Sequence, residues 1–186
     1  MSIRVIAGTV KGRKLKLVPG DNTRPIMDRV KESLFNIIGR KVYDSVWLDL
    51  FAGTGSVGIE ALSRGAERAL LTDNDLLAIQ TIEENLKLTR FTNRATVRKI
   101  DAFTLLGQSP DQPYNFIYIA PPQYKQLWSQ ALTALDKNSG WLHPNGQAVV
   151  QIDPSEDAPL PFDHLILDDQ RRYGNTALLF FRFKPV

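Results

Sequence analysis

The sequence predicts an α/β fold, a three-layer sandwich in which a mainly parallel sheet is covered by helices on both faces. Three observations predict it. From residue 46 onward, apolar runs of strand length alternate with longer segments whose apolar residues recur every three or four positions. An apolar run carrying Asp49 enters a glycine turn, Gly53-x-Gly55-x-x-Gly58, and then a helix-like start, which is how such sheets press backbone against a bound molecule. Finally, 186 residues that are 43% apolar and 23% charged suit one globular domain with a core of ordinary size.

The elements follow in order. Residues 3–7 and 15–18 are strand-like runs around Lys11-Gly12-Arg13-Lys14, a hairpin with a basic tip. Residues 19–22, Pro-Gly-Asp-Asn, break the chain. Met27, Val30, Leu34, Ile37 and Ile38 share one helical face, and Gly39 is a stop. Strands are expected at 46–51, 69–72, 95–100, 116–119 and 148–152, with helices at 57–64, 76–89 and 126–135. Residues 164–168 and 176–183, joined across Tyr173-Gly174-Asn175, read as two antiparallel strands that close the sheet edge. The chain is expected to divide into a basic hairpin-and-helix extension, 1–44, and a main domain, 45–186.

Composition excludes several classes. With no cysteine there is no disulfide and no thiolate metal site, and His143 and His164 lack metal-ligand spacing, so no metal is expected. No run approaches the roughly 18 apolar residues of a membrane helix, which points to the cytoplasm and to no membrane partner. A monomer is favoured. Net charge is only +3, yet the first 47 residues hold ten Lys or Arg against four Asp or Glu. That asymmetry suggests a polyanion such as nucleic acid; the plainer alternative is a solvated basic surface.

Two kinds of ligand use a turn like that at Gly53, Gly55 and Gly58. A nicotinamide or flavin dinucleotide sets a pyrophosphate on the following helix N-terminus. S-adenosylmethionine instead presents a zwitterionic tail and a cationic sulfonium, and an acid at the strand end, Asp49, suits the cation and repels the pyrophosphate. Asp73 ends the second strand 20 positions past Gly53, where a carboxylate can accept both ribose hydroxyls, with Asn74 beside it. Asp75 reads as the N-cap of the next helix. Asp101-Ala102-Phe103 follows the third strand: the acid can accept an adenine amino group, Ala102 can supply a backbone N–H, and Phe103 can pack nearby, although Asp101 is equally suited to cap a helix. Phe51 is either core or a wall of the pocket, next to Ala52 and Thr54 of the turn.

The stretch Asp49-Leu-Phe-Ala-Gly-Thr-Gly-Ser-Val-Gly-Ile-Glu-Ala-Leu-Ser-Arg-Gly-Ala66 resembles the RsmD-type RNA methyltransferases. So does Thr23-Arg-Pro-Ile-Met-Asp-Arg-Val-Lys-Glu-Ser-Leu-Phe-Asn36, and the likeness extends from Ile3-Arg-Val-Ile-Ala-Gly8 to Arg172-Tyr-Gly-Asn-Thr176. The resemblance implies a seven-stranded Rossmann-like sheet with its last strand antiparallel. It also implies S-adenosyl-L-methionine as methyl donor and the exocyclic N2 of a guanine in small-subunit ribosomal RNA as acceptor, within a partly assembled subunit. By similarity the hairpin and the loop at Arg24-Pro25 border donor and RNA.

One departure matters. The family carries Asp-Pro-Pro-Tyr, or Phe in the last place, after its fourth strand, whereas this chain has Ala120-Pro121-Pro122-Gln123-Tyr124. The N2 lone pair is delocalised into the guanine ring, and acceptors aimed at the amine protons favour attack and stabilise the charge that develops. Ala120 keeps the Pro121 carbonyl but removes a side-chain oxygen. Gln123 can replace it with Tyr124 stacking one place along, orientation alone can suffice, or the chain retains fold and RNA surface without activity. The expected chemistry is direct transfer to a guanine N2. The alternatives are an adenine-N6 methyltransferase acting on DNA or RNA, a non-catalytic RNA-binding or assembly protein, and, least favoured, a nicotinamide oxidoreductase.

For the RNA, Lys11, Arg13 and Lys14 of the hairpin, Arg24 held extended by Pro25, and Arg29 are the expected phosphate contacts. Arg29 is also placed to pair with Glu32 on its own helix. Trp128 reads as core rather than as a stacking platform, and Arg171, Arg172 and Tyr173 read equally as an RNA contact or as a plain exposed basic turn.

Overall fold

The computed structural model describes residues 3–20 and 25–185. A seven-stranded sheet is built from β3 (Val46–Asp49), β4 (Arg68–Asp73), β5 (Ala95–Lys99), β6 (Tyr114–Ile119), β7 (Leu142–Ile152), β8 (Leu165–Tyr173) and β9 (Thr176–Phe183). Its order is β5-β4-β3-β6-β7-β9-β8, parallel throughout except for β9, which runs antiparallel to both neighbours. The chain starts mid-sheet at β3, moves outward to β5 and returns to β6. Ligands of open α/β sheets sit outside the strand ends at such a reversal.

Strand residues alternate between two cores, as the two-residue period requires. Trp47, Phe116 and Tyr118 face one side; Leu48, Leu50, Ile117 and Ile119 face the other. The first side is covered by α1 (Asp28–Ile38), α2 (Ser56–Ser63) and α3 (Leu76–Thr89), and Trp47 stacks between Phe35 and Phe116 with ring centroids 5.3 and 4.7 Å away. The second side is covered by α4 (Ala102–Leu106) and α5 (Leu127–Lys137). Trp128 is buried there, as the sequence indicated.

Most differences from the expected elements have a local cause. The N-terminal hairpin is short, β1 (Ile3–Arg4) against β2 (Lys14–Leu15) with Val5 still bonded to Gly12 and Arg13, because the amides of Ile6 and Ala7 donate to Glu60 of α2 at 2.9 and 3.0 Å instead of to a partner strand. Residues 102–106 form a helix not separately expected, capped by Asp101. β8 extends through its polar half to Tyr173, since β9 satisfies its backbone whatever its side chains; a bulge lies between Leu167 and Asp169.

Glu60 organises the whole N-terminal segment although it is fully buried. Its carboxylate accepts the two amides, pairs with Arg64 at 2.8 Å, and meets the buried Lys31 ammonium at 3.3 Å. Lys31 also donates to the Arg4 carbonyl at 2.7 Å. Burial lowers the Lys31 pKa, and Glu60 opposes that shift by favouring the charged form. Ser63 and Gly8 complete the docking. The Ser63 hydroxyl donates to the Ala7 carbonyl, and a Cβ on Gly8 would lie 1.9 Å from the Ser63 carbonyl oxygen.

Removing one partner of a buried pair leaves the other charge uncompensated. Glu60→Ala is therefore expected to cost about 3–5 kcal/mol of stability, and Lys31→Met clearly less, because Glu60 then keeps Arg64 and the amides of Ile6 and Ala7 as partners. Urea unfolding of the two variants checks this; equal losses would contradict it.

Candidate active site

Asp49 ends β3 at the sheet's centre and is 1% exposed. Its Oδ2 accepts the Gly58 N–H at 3.2 Å, while Oδ1 is buried without a hydrogen-bond partner among the described residues. Burial pushes this carboxyl up to about 7; the Gly58 hydrogen bond opposes the shift and the neighbouring Asp73 charge adds to it. A buried acceptor without a donor favours a cationic donor from a ligand.

The glycines build the turn around this acid, each differently. Gly53 has φ +55° with open space where a Cβ would go, so a ligand can approach its backbone. Gly55, at φ +78°, precedes α2, and a Cβ there would lie 3.1 Å from Leu71. Gly58 sits inside α2, where a Cβ would lie 2.9 Å from Leu71, so its absence lets the helix close on β4 and deliver its N–H to Asp49. Gly55 and Gly58 thus shape the site from behind it.

A cleft of about 560 Å³ opens in front of the turn. It is lined by Asp49, Phe51, Ala52, Gly53, Thr54, Asp73, Asn74, Asp101, Phe103, Ala120, Pro121, Pro122 and Gln123, all of which the sequence marked. Asp75 lines it too, as do Pro25, Ile26, Met27 and Lys125. Asp73 accepts the Gly53 N–H at 2.9 Å and the Asp75 N–H at 3.0 Å. Asp75 caps α3 through the Leu77 N–H, and Asp101 caps α4 through Thr104 at 2.9 Å. An ionised carboxylate has about four acceptor positions, so capping leaves each able to take a ligand donor. Among the described lining residues four carboxylates accompany one ammonium, a set that fits a cationic, hydroxyl-bearing ligand better than a pyrophosphate.

Other marked residues lie apart from the cleft lining. Ala102 is buried in the second core, and Tyr124 stands exposed between Gln123 and Lys125. Lys11, Arg13 and Lys14 are exposed on the hairpin and Arg29 on α1, where it forms no ion pair with Glu32. Arg24 lies outside the described residues, although Pro25 beside it lines the cleft. Among the described residues no group of His, Asp and Glu could hold a metal ion.

Three residues escaped the sequence reading. Tyr118, the register partner of Asp49, hydrogen-bonds Gln151, and both line the cleft. Burial, and then the Asp49 carboxylate, hold the Tyr118 phenol well above its ordinary pKa, so it stays a neutral donor. Asn85, buried on α3, accepts from the Lys16 N–H at 2.7 Å and donates to the carbonyls of Lys16 and Thr54 at 3.0 and 2.9 Å. It pins the hairpin and the glycine turn to one helix. The available signal was an Asn on an otherwise apolar helix face.

The sheet order and the acid-lined glycine turn at its reversal point define the Rossmann-like methyltransferase class. The chain belongs to the family described as Conserved hypothetical protein 95, the RsmD-type methyltransferases, whose model matches residues 3–182. It is 39% identical to the rRNA methyltransferase candidate YlbH of Bacillus subtilis, over 97% of this chain and 98% of that one. It is 36% identical to the ribosomal RNA small subunit methyltransferase D of Haemophilus influenzae, over 85% and 81%. The solved structure of the methyltransferase candidate yhhF from Escherichia coli matches with a TM-score of 0.88 at 32% identity, over 99% of both chains. An RNA methyltransferase from Salinibacter ruber, solved with S-adenosyl-L-homocysteine, shares the fold at a TM-score of 0.67 and 16% identity, over 88% of this chain and 96% of that one.

Asp49 also sets a pH dependence for the protein without ligand. A folded pKa of about 7 against 3.8 unfolded means the folded state binds the proton more tightly, so this contribution is complete below pH 4 and is lost as pH rises through 7. Asp49→Asn is expected to remove this slope and to stabilise the unliganded protein at pH 8, by on the order of 4 kcal/mol at most. Thermal unfolding at pH 5 and pH 8 measures it; an unchanged slope in the variant would overturn the assignment.

Proposed function

We propose that this chain transfers a methyl group from S-adenosyl-L-methionine to the exocyclic N2 of a guanine in small-subunit ribosomal RNA. The carrying observation is the buried, unpartnered Asp49 oxygen, which faces the same cleft as Ala120-Pro121-Pro122. When bound, the donor supplies an electrophilic methyl on a sulfonium. Asp49 holds its ammonium, Asp73 its ribose hydroxyls, and the Asp101 to Phe103 segment its adenine edge. The substrate of the related small-subunit methyltransferase D supports ribosomal RNA as the acceptor.

Pro121 presents its carbonyl to the amine protons, and Gln123, which lines the cleft, supplies the side-chain oxygen that Ala120 lacks. Tyr124 stacks on the target base. The base reaches this point by leaving its own stack, within a partly assembled subunit. The segment before residue 45 forms the RNA-facing extension, with Lys11, Arg13, Lys14, Arg24 and Arg29 on phosphates. Ala120 favours one rival, a protein that binds donor and RNA without turnover.

Undermethylated small subunits incubated with the protein and labelled donor should yield N2-methylguanosine on digestion to nucleosides. N6-methyladenosine would replace this reading, and binding without product would support the rival. Gln123→Ala is expected to slow transfer by about 10² to 10³-fold, with Ala120→Asp recovering much of the rate in that background. Wild-type rates in Gln123→Ala would show that Gln123 is not the acceptor.

The donor's ammonium requires ionised Asp49, so binding below pH 7 must first displace a proton. S-adenosylhomocysteine affinity by calorimetry should therefore fall toward about tenfold per pH unit below 7 and level off above it. A flat profile from pH 5.5 to 8.5 would remove Asp49 from this role.

A further inference from the structure

Tyr124 is held by two acids that come from the far end of β7. Its backbone N–H donates to Glu156 Oε1 at 2.8 Å, and its phenol donates to Asp153 Oδ2 at 3.1 Å. Asp153 follows β7 directly and is itself fixed, because its Oδ1 accepts the Ser155 N–H at 2.9 Å and the Ser155 hydroxyl at 2.7 Å in capping the short 3-10 turn Pro154–Glu156. The acids are therefore carried on a stiff corner two and five residues past Gln151, which lines the cleft.

The backbone they hold is unusual. Tyr124 has φ +63° and Gln126 φ +51°, two non-glycine residues in the left-handed region within three positions. Such conformations are costly and persist only where surrounding contacts impose them, and they cluster at functional sites. Glu156 supplies that contact at Tyr124 itself. The residue is 69% exposed, so it is not held by burial in the core. An exposed tyrosine fixed at both its amide and its hydroxyl, beside Gln123 and Lys125 of the cleft lining, is a preorganised surface.

Building on the function proposed above, we infer that Asp153 and Glu156 are positioning residues: they latch Tyr124 at the rim of the cleft so that its ring is already placed to stack on the extruded base. They touch neither donor nor base. Their effect is to spare the RNA the ordering of a strained loop at the moment of binding. The latch also gives an aromatic one place later than in the family's pattern a fixed position, because the corner after β7 catches it there.

The test uses the full chain with Glu156→Ala, Glu156→Gln and Tyr124→Phe, and three readouts: hydrogen exchange of the 121–127 amides, S-adenosylhomocysteine affinity, and methylation kinetics on undermethylated small subunits. Glu156→Ala should lose protection at the Tyr124 amide and raise KM for the subunit about tenfold, with cofactor affinity within about twofold of wild type. Glu156→Gln, which keeps an acceptor oxygen, should restore both. Tyr124→Phe keeps the ring and the amide bond but loses Asp153, so it should raise KM by a smaller factor, about threefold. Unchanged KM in Glu156→Ala and Tyr124→Phe would overturn the inference. So would a loss of cofactor affinity that parallels the loss of activity, because the acids would then merely hold the cleft together. A wild-type protein that methylates nothing would overturn the proposed function instead. In that case the exchange measurement still decides the latch, which fails if the Tyr124 amide exchanges equally fast with and without Glu156.

Discussion

A carboxylate buried at the centre of the sheet is the constraint around which the site is arranged. Asp49 is out of water with one oxygen satisfied by Gly58 and the other by none of the described residues. To bring that amide within reach, α2 must lie close on β4, which forbids a side chain at position 58 and crowds one at position 55. The turn between strand and helix must then be tight, and Gly53 takes a conformation that a side chain would resist. Each of these requirements costs stability, and a cationic ligand returns part of it. The unliganded protein is thus held in a shape whose electrostatics are completed from outside.

The same helix that serves Asp49 on one side serves the N-terminal segment on another. Glu60 stands two residues after Gly58 and takes the amides that would otherwise extend the hairpin. Asn85 then joins the hairpin at Lys16 to the glycine turn at Thr54. The basic tip and the acidic cleft are consequently parts of one hydrogen-bonded framework, with about +6 of charge in the first 47 residues against an acid-lined cavity. A cationic donor and a polyanionic acceptor require that separation of sign.

Much of this was legible in the sequence because it depends on local pattern. Helix α3 was delimited to the residue, Leu76–Thr89, since its apolar spacing and the Asp75 cap agree. Most of the cleft-lining residues were legible because each follows a strand in the parallel sheet, and such ends converge at one edge. What was not legible is set by pairings remote in sequence. Nothing local indicates that Ile6 and Ala7 will spend their amides on a residue more than fifty positions away, so the hairpin read longer than it is. Tyr118 and Gln151 looked like ordinary strand residues. Only the β6–β7 pairing brings them together beneath the cleft. Asp153 and Glu156 lie about thirty positions from Tyr124, and only the fold sets them against it.

The outermost strand, β8, carries Asp168, Asp169, Arg171 and Arg172 on a stretch interrupted by its bulge. At the opposite margin, β5 ends in exposed Arg98 and Lys99. Another molecule that tried to continue the hydrogen-bond ladder at either border would have to strip water from these ions, and at β8 also match a broken spacing. Growth of the sheet by edgewise addition is thereby made unfavourable in both directions.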